Sequence, residues 1–399
     1  MSEESRDVVV VGGGPAGSAV ATFLSHRGRD VLLLDAARFP RDKVCGEGVS
    51  PEAWRLLDAM GASDAVRALS PHPLCGMQLV SPDGTVFRGE YRGHDRMGFA
   101  ARRLALDGAL LDVARRAGAE VREGTRVTRL LRGPVGVEVD AGGEPCVVRA
   151  RVVVGADGRR SIVARSLGLL RENPRMRRFA VRGYWEDVEA LGSFGEMHVG
   201  AGGYCGVAPL SSTRANLAFV LDRRDMRPAG GDLERFYRQE IRRRWPRLAE
   251  RLDRARLLEP PRAIGPLALD CRAVAAPGVV LVGDAAGFYD PFTGEGVTLA
   301  LRTAELAAEA VHVALDRPST SPLPRLDGYE RSRDAATRDK FRFNRVLQIA
   351  VGRPGLANAV ARRLARRPDL ADRLVSIAGD FVPARAAFGA RFLLDLLVA

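Results

Sequence analysis

Lysine is nearly absent from this chain: of 61 basic residues only Lys43 and Lys340 are lysine. So one-sided a use of arginine marks a coding bias. No zinc finger or aromatic RNA-binding motif accompanies the net charge of +12, so no nucleic-acid partner is expected. The scarcity makes Lys43 informative, because a surviving lysine is one that arginine's broad planar fork does not replace. Cysteine is sparse too. Cys45, Cys75, Cys146, Cys205 and Cys271 are odd in number and never spaced as CxxC, which excludes a disulfide framework and a zinc site; reduced thiols and no metal are expected. No run of about 18 uncharged apolar residues occurs. Residues 1–7 pass directly into the apolar run Val8–Val11, leaving no room for a signal peptide, so a cytoplasmic location is expected. Neither a catalytic triad nor a carboxylate pair is apparent, and no catalytic residue is assigned. His26, His72, His94, His198 and His312 are read as surface or satisfied core residues, with His198 alone a candidate to face a cavity.

What is present is a chain of 399 residues, 46% hydrophobic and 28% charged, enough to bury a large core in two or three domains. Residues 7–35 read as strand, glycine turn, helix and strand, a βαβ unit. Residues 103–117 place Leu106, Leu110, Leu111 and Ala114 at helical spacing, and short strands follow to the buried-type run ending at Gly155. Between about 178 and 222 the pattern changes to short alternating segments, which predict an antiparallel sheet. Strand, turn and helix return over 278–315, so the first unit resumes after an insertion. The expected boundaries are 1–70, 96–175 and 272–325 for the first domain, 71–95 and 176–271 for the inserted one, and 326–399 for a helical C-terminal region. A loop rich in Pro and Ser, Pro318–Pro324, precedes that region.

The first motif is Gly12-Gly13-Gly14-Pro15-Ala16-Gly17. A pyrophosphate needs backbone N–H donors at close range and the positive end of a helix, and a side chain at Gly14 would block that approach. Asp35 ends the following strand, where its carboxylate can accept from both ribose hydroxyls. Together these features predict a bound dinucleotide.

Two later stretches narrow the choice. Val152–Arg165 (VVVGADGRRSIVAR) resembles the Asp-Gly fingerprint of flavoprotein monooxygenases, and Val280–Gly296 (VLVGDAAGFYDPFTGEG) resembles their Gly-Asp motif. Phe39–Pro51 (FPRDKVCGEGVSP) and Pro291–Gly296 (PFTGEG) resemble the geranylgeranyl reductase branch of that superfamily. Arg103 with Asp107 is similar to the family's RxxFD helix start, with Leu106 in place of Phe. The resemblance implies an α/β fold like that of p-hydroxybenzoate hydroxylase: a Rossmann-type FAD-binding domain, an inserted antiparallel β-sheet substrate domain and a helical C-terminus. It assigns to FAD the residues Gly12, Gly14, Pro15, Ala16, Gly17, Asp35, Ala36, Lys43, Cys45, Gly46, Arg103, Val127, Asp157, Asp284, Gly294 and Gly296. Asp284 would bond a ribityl hydroxyl, and a helix opening at about Gly296 would offer N–H donors to the flavin pyrimidine edge.

The inserted sheet departs from the family pattern. Where geranylgeranyl reductases carry YxWxFP and flavin-dependent halogenases WxWxIP, this chain has Tyr204-Cys205-Gly206-Val207-Ala208-Pro209. Losing an indole and a phenyl opens that wall to a different or bulkier substrate. The leading expectation is therefore an FAD-dependent monooxygenase that hydroxylates a lipophilic aromatic or polyketide-like molecule through the flavin C4a-hydroperoxide. Reduction of isoprenoid double bonds is the alternative, and a non-enzymatic lipid-binding protein on the same fold a third reading. No second GxGxxG follows a strand, so NAD(P)H is expected only as a transient electron donor, with Arg159 and Arg160 as candidates for its phosphates. Arginines 362, 363, 366 and 367 give the C-terminal helices a face for peripheral membrane contact, against the plainer reading of a packing helix with a solvated side.

Overall fold

The structure is a computed structural model that describes residues 4–92, 97–131, 136–140, 146–172, 177–317 and 323–389. His94, residues 318–322 of the Pro- and Ser-rich loop and the last residues of the C-terminal region, 390–399, lie outside them.

Val8–Val11 and Val31–Leu34 carry only aliphatic side chains, which demands cover on both faces of each strand. The strand Glu4–Val11 accordingly lies inside a sheet, parallel to Val31–Asp35 on one side and Cys146–Gly155 on the other. Val279–Leu281 and Glu120–Glu123 extend the parallel set. Register decides where the site falls. Val11 sits beside Gly155, and Gly155 beside Leu281, so Gly12, Ala156 and Val282 leave the sheet at one common edge, the carboxyl end where open α/β sheets take their ligands. The helix Pro15–Ser25 packs between Arg103–Arg116 and Gly296–Asp316. On the last of these, Ala304, Ala307, Ala308 and Val311 form a fully buried stripe of small side chains at helical spacing.

A second sheet runs in the order Arg256–Leu257, Arg178–Glu186, Ala215–Asp222, Gly203–Pro209, Phe194–Gly200, Gly76–Val80 and Val86–Glu90. It is antiparallel as expected except that Phe194–Gly200 pairs with Gly76–Val80 in parallel. The exception falls where two distant stretches of chain meet, with no hairpin between them to impose the opposite direction. One face of this sheet is covered by the helix Leu233–Arg244, whose Phe236, Tyr237 and Ile241 pack on Leu217 and Phe219. The other face is turned toward the first domain.

The C-terminal region is helical over Asp327–Val351, Pro354–Arg366 and Pro368–Ala378. It docks on the second sheet through one cluster, in which Phe87 meets Phe343, Leu364, Leu370 and Ile377. A Cβ on Gly89 would lie 2.4 Å from the Ala371 carbonyl, so the last of these helices rests directly on the edge strand and covers it. Arg362 reaches across to Asp83 at 2.6 Å, and Arg367 pairs with Asp369 at 2.8 Å. The apolar faces of these helices are thus largely used in packing.

Candidate active site

One large cavity runs from the glycine turn, along the carboxyl edge of the parallel sheet, to the inner face of the second sheet. Its two ends differ in lining: glycines and charged side chains at the first, mostly apolar side chains at the second.

At the dinucleotide end each glycine has its own reason. Gly12 has φ +103°, and a Cβ there would lie 2.6 Å from the Ala156 carbonyl oxygen. A Cβ on Gly17 would meet the Gly12 carbonyl at 1.8 Å, so the helix can approach the strand only without one. Gly14 faces open space bounded by Arg41, whose Nη2 would be 3.4 Å from a Cβ. That space, in front of a helix N-terminus and beside a guanidinium, is where two phosphates fit. Asp35 is buried and holds the turn by accepting from the Gly13 N–H at 2.7 Å and the Ala37 N–H at 2.8 Å. Arg41 was not singled out in the sequence. It belongs to the same FPRDK stretch, but its position over the glycine turn depends on Asp107, 3.0 Å from its Nη1, a contact between remote segments.

The loop from residue 43 to 50 lines the middle of the cavity. Lys43 Nζ stands 3.7 Å from Asp284; burial pushes its ammonium pKa down while that carboxylate pulls it up. Arg103, buried, makes a bidentate pair with Asp107 at 2.6 and 2.7 Å and sits against Cys45. Cys45 Sγ accepts from the Glu47 N–H at 3.3 Å, and its carbonyl accepts from Asn216 at 2.8 Å. Glu47, also missed in the sequence, has φ +63° and is 1% exposed. Its Oε1 accepts from the Arg103 N–H at 2.9 Å and from the Tyr184 hydroxyl, while Oε2 is buried with no hydrogen-bond partner among the described residues. Burial raises its pKa above the usual carboxylate range, with the Tyr184 and Arg103 hydrogen bonds opposing. Burial thus favours the protonated form of this acid more than water would.

At the flavin end implied by the motifs, the helix Gly296–Asp316 opens where expected, and a Cβ on Gly294 or Gly296 would find nothing within 4 Å. The Gly294 N–H is taken by the Pro291 carbonyl at 2.9 Å, so the donors left for a bound ring edge are those of the helix's first turn, from Gly296 onward. Asp290 anchors the preceding turn, accepting from Gln348 at 2.7 Å, from the Phe292 N–H at 3.0 Å and from Tyr204 at 2.5 Å. Glu295 is buried against Lys340, which also reaches Asp380 at 2.6 Å. Both lysines of the chain therefore line this one cavity, and the rarity of lysine pointed to Lys340 as much as to Lys43. Burial raises the Glu295 carboxyl to about 7, with Lys340 opposing. Below that pH the native chain holds a proton that the unfolded chain, titrating near the ordinary 4.5, has lost. Stability should therefore fall as pH rises from about 4.5 to 7, by roughly 3 kcal/mol. Denaturation midpoints across that window should lose this slope in Glu295→Gln; an unchanged slope in the variant would contradict the assignment.

Of the residues expected at the cofactor, Gly14, Pro15, Ala16, Lys43, Cys45, Gly46, Arg103, Asp284, Gly294 and Gly296 line the cavity. Gly12, Gly17 and Asp35 lie just behind the turn. Asp157 instead accepts from the Ile162 N–H at 2.6 Å, at the start of the short helix Ile162–Ser166. Val127 is buried in the core of the first domain, and Ala36 is exposed beside Asp35. Arg159 and Arg160 are held on the Pro266 and Gly265 carbonyls. His198 is buried and paired with Glu196 at 2.7 Å, which in turn binds Arg251.

Beyond the flavin end the wall turns apolar. Tyr204, Gly206 and Ala208 alternate onto the cavity face of their strand, joined by Met77, Met197, Val220, Ile264, Leu267 and Phe292. A Cβ on Gly206 would meet Met197 at 3.6 Å and the Ala218 and Glu196 carbonyl oxygens at 3.8 and 3.9 Å, all ordinary contacts, so this stretch of wall could carry a side chain and has none. Among the described residues no cluster of His, Cys, Asp and Glu could hold a metal ion, and no helix is long and apolar enough to cross a membrane.

Comparison with known proteins agrees with this geometry. The model of the FAD binding domain family matches residues 5–343. Menaquinone reductase of Mycobacterium tuberculosis is 33% identical over 327 residues, 77% of this chain and 76% of that protein. Digeranylgeranylglycerophospholipid reductase of Methanothrix thermoacetophila is 33% identical over 324 residues, 79% of each. A flavoprotein/dehydrogenase from Cytophaga hutchinsonii superposes with a TM-score of 0.83 at 23% identity, over 96% of this chain and 94% of that one, and shares the fold. A glycine turn open to phosphates, a helix N-terminus open to a ring edge and a matching family model converge on one conclusion: the chain belongs to the FAD binding domain family of FAD-dependent oxidoreductases.

Proposed function

We propose that this oxidoreductase saturates carbon–carbon double bonds in the isoprenoid chain of a lipid. The observation that carries the reading is the cavity itself: an FAD cradle continues into an apolar channel, with a buried carboxyl group, its pKa raised by burial, among the lining side chains. The two reductases that are 33% identical to the chain support it, since each is named for a lipid substrate.

Saturating an alkene requires a hydride on one carbon and a proton on the other. Bound FAD, once reduced by a two-electron donor such as NAD(P)H, would supply the hydride. Gly14, Arg41 and the N–H groups near Gly296 would hold it, and Lys43 with Asp284 would meet its ribityl chain. The apolar wall orients the prenyl chain and keeps water out. Glu47 holds the proton at Oε2 and would release it to the second carbon, leaving a carboxylate stabilised by the Tyr184 hydroxyl and the Arg103 N–H and later reprotonated from solvent.

Hydroxylation of a lipophilic aromatic is the second reading, and it rests on Gly206 and Ala208, which line the channel without large side chains. Product mass separates the two. Reduction adds about two mass units per double bond and proceeds without oxygen, whereas hydroxylation adds about sixteen and requires it. A product that forms only in air, heavier by about sixteen, would overturn the proposal. Width can be tested separately. Gly206→Trp, which fills the gap, should keep FAD bound and raise KM for a branched or quinone-capped lipid by roughly tenfold or more, with little effect on a single unbranched prenyl chain; equal effects on both would place Gly206 away from the substrate.

A further inference from the structure

The helix Asp327–Val351 has two faces of different character. One packs on the second sheet through Phe343, Leu347 and Val351. On the other, Val346 and Ile349 are 50% and 53% exposed, unusual for large aliphatic side chains of a packed helix. Arg342 and Arg345 are exposed on the same side, each four residues before one of the pair, and exposed Arg353 follows just beyond the helix end. No acidic residue occurs between Phe341 and Arg353; the nearest, Asp339, stands 3.8 Å from Arg342.

This stripe borders the cavity. Lys340, Phe341 and Asn344 of the same helix line it, and Arg345 stacks on Tyr289, another lining residue, at 5.6 Å. Phe341 and Tyr289 are themselves partly solvent-exposed, so the cavity reaches the surface beside the stripe.

We infer that this face is a docking surface for an anionic lipid bilayer, with Val346 and Ile349 inserted among the acyl chains and the three arginines on the headgroups. An apolar pair flanked by exposed cations is the pattern of an interfacial helix. Both aliphatic and cationic parts match a lipid surface, and a nucleic acid or an acidic protein would use only the second. The surface deepens the proposed function: a lipid could pass from the bilayer into the channel without its prenyl chain crossing water.

The test is sedimentation of the FAD-loaded protein with phosphatidylcholine vesicles with and without phosphatidylglycerol, in the absence of substrate, so that its outcome is independent of the reaction. The protein should pellet with the phosphatidylglycerol vesicles, less so as salt is raised. V346D/I349D should lower the partition coefficient at least roughly tenfold, and R342Q/R345Q/R353Q should lower it about fivefold per arginine on the anionic vesicles only. L258D, another exposed aliphatic position away from this helix, should bind as the unmodified protein does; retained FAD absorbance shows that each variant is folded. No pelleting with either vesicle, or V346D/I349D binding as L258D does, would overturn the inference, and neither result would touch the reductase reading.

Discussion

Glu47→Gln is expected to keep FAD bound and to lower turnover of a prenyl lipid by roughly a hundredfold or more, the usual share of a positioned general acid. Glutamine preserves the shape, and its amide oxygen can still accept from Arg103 N–H and Tyr184, but it has no proton to release. The pH profile distinguishes this from a packing defect. With a pKa raised by burial, Glu47 is active while protonated, so kcat should fall as pH rises through that raised value. The variant's residual rate should lack that alkaline fall. A variant within tenfold of the original rate, with the same profile, would remove Glu47 from the chemistry.

Gly14→Val is expected to abolish FAD binding while sparing the fold. A Cβ at this position would meet only Arg41, at 3.4 Å, which the FAD-free protein tolerates. The space a valine would fill is the one the phosphates need. Affinity should drop by roughly two orders of magnitude or more, measured by flavin fluorescence, with the thermal midpoint of FAD-free protein shifted by only a few degrees. Gly17→Ala makes the contrast. Its methyl would sit 1.8 Å from the Gly12 carbonyl, so it should damage folding itself. A Gly14→Val protein that purifies with a full complement of FAD would place the pyrophosphate elsewhere.

Local patterns carried the first domain in the sequence. Val8–Val11, the glycine turn and Asp35 each express their structure within a few residues, so the βαβ unit and the helix at Gly296 were legible. The second sheet was legible as alternating strands. The parallel pairing of Phe194–Gly200 with Gly76–Val80 was not, because it joins segments more than a hundred residues apart with no turn signal between them. The docking of the last helices on Phe87 and Gly89 was hidden for the same reason. In the site, backbone-driven features were readable and charge networks were not. Arg41 is placed by Asp107, and Glu47 by Tyr184 and Arg103; each contact bridges separate elements. Asp157 is similar: one carboxylate oxygen accepts from the Ile162 N–H and the other is buried without a hydrogen-bond partner among the described residues, a placement its GADG context did not announce.

In the proposed reaction, reduced FAD held at Gly14 and Gly296 passes its electrons directly to an alkene in the apolar channel. Its most direct test is a single turnover in deuterated buffer, with the FAD-loaded protein photoreduced and then mixed with a geranylgeranyl lipid in the strict absence of oxygen. The visible absorbance of oxidised flavin should return in step with lipid consumption, and solvent deuterium should appear at both carbons of each reduced double bond, because the N–H hydrogens of reduced flavin exchange with the buffer. Flavin that stays reduced until air is admitted, with oxygen then found in the product, would contradict it.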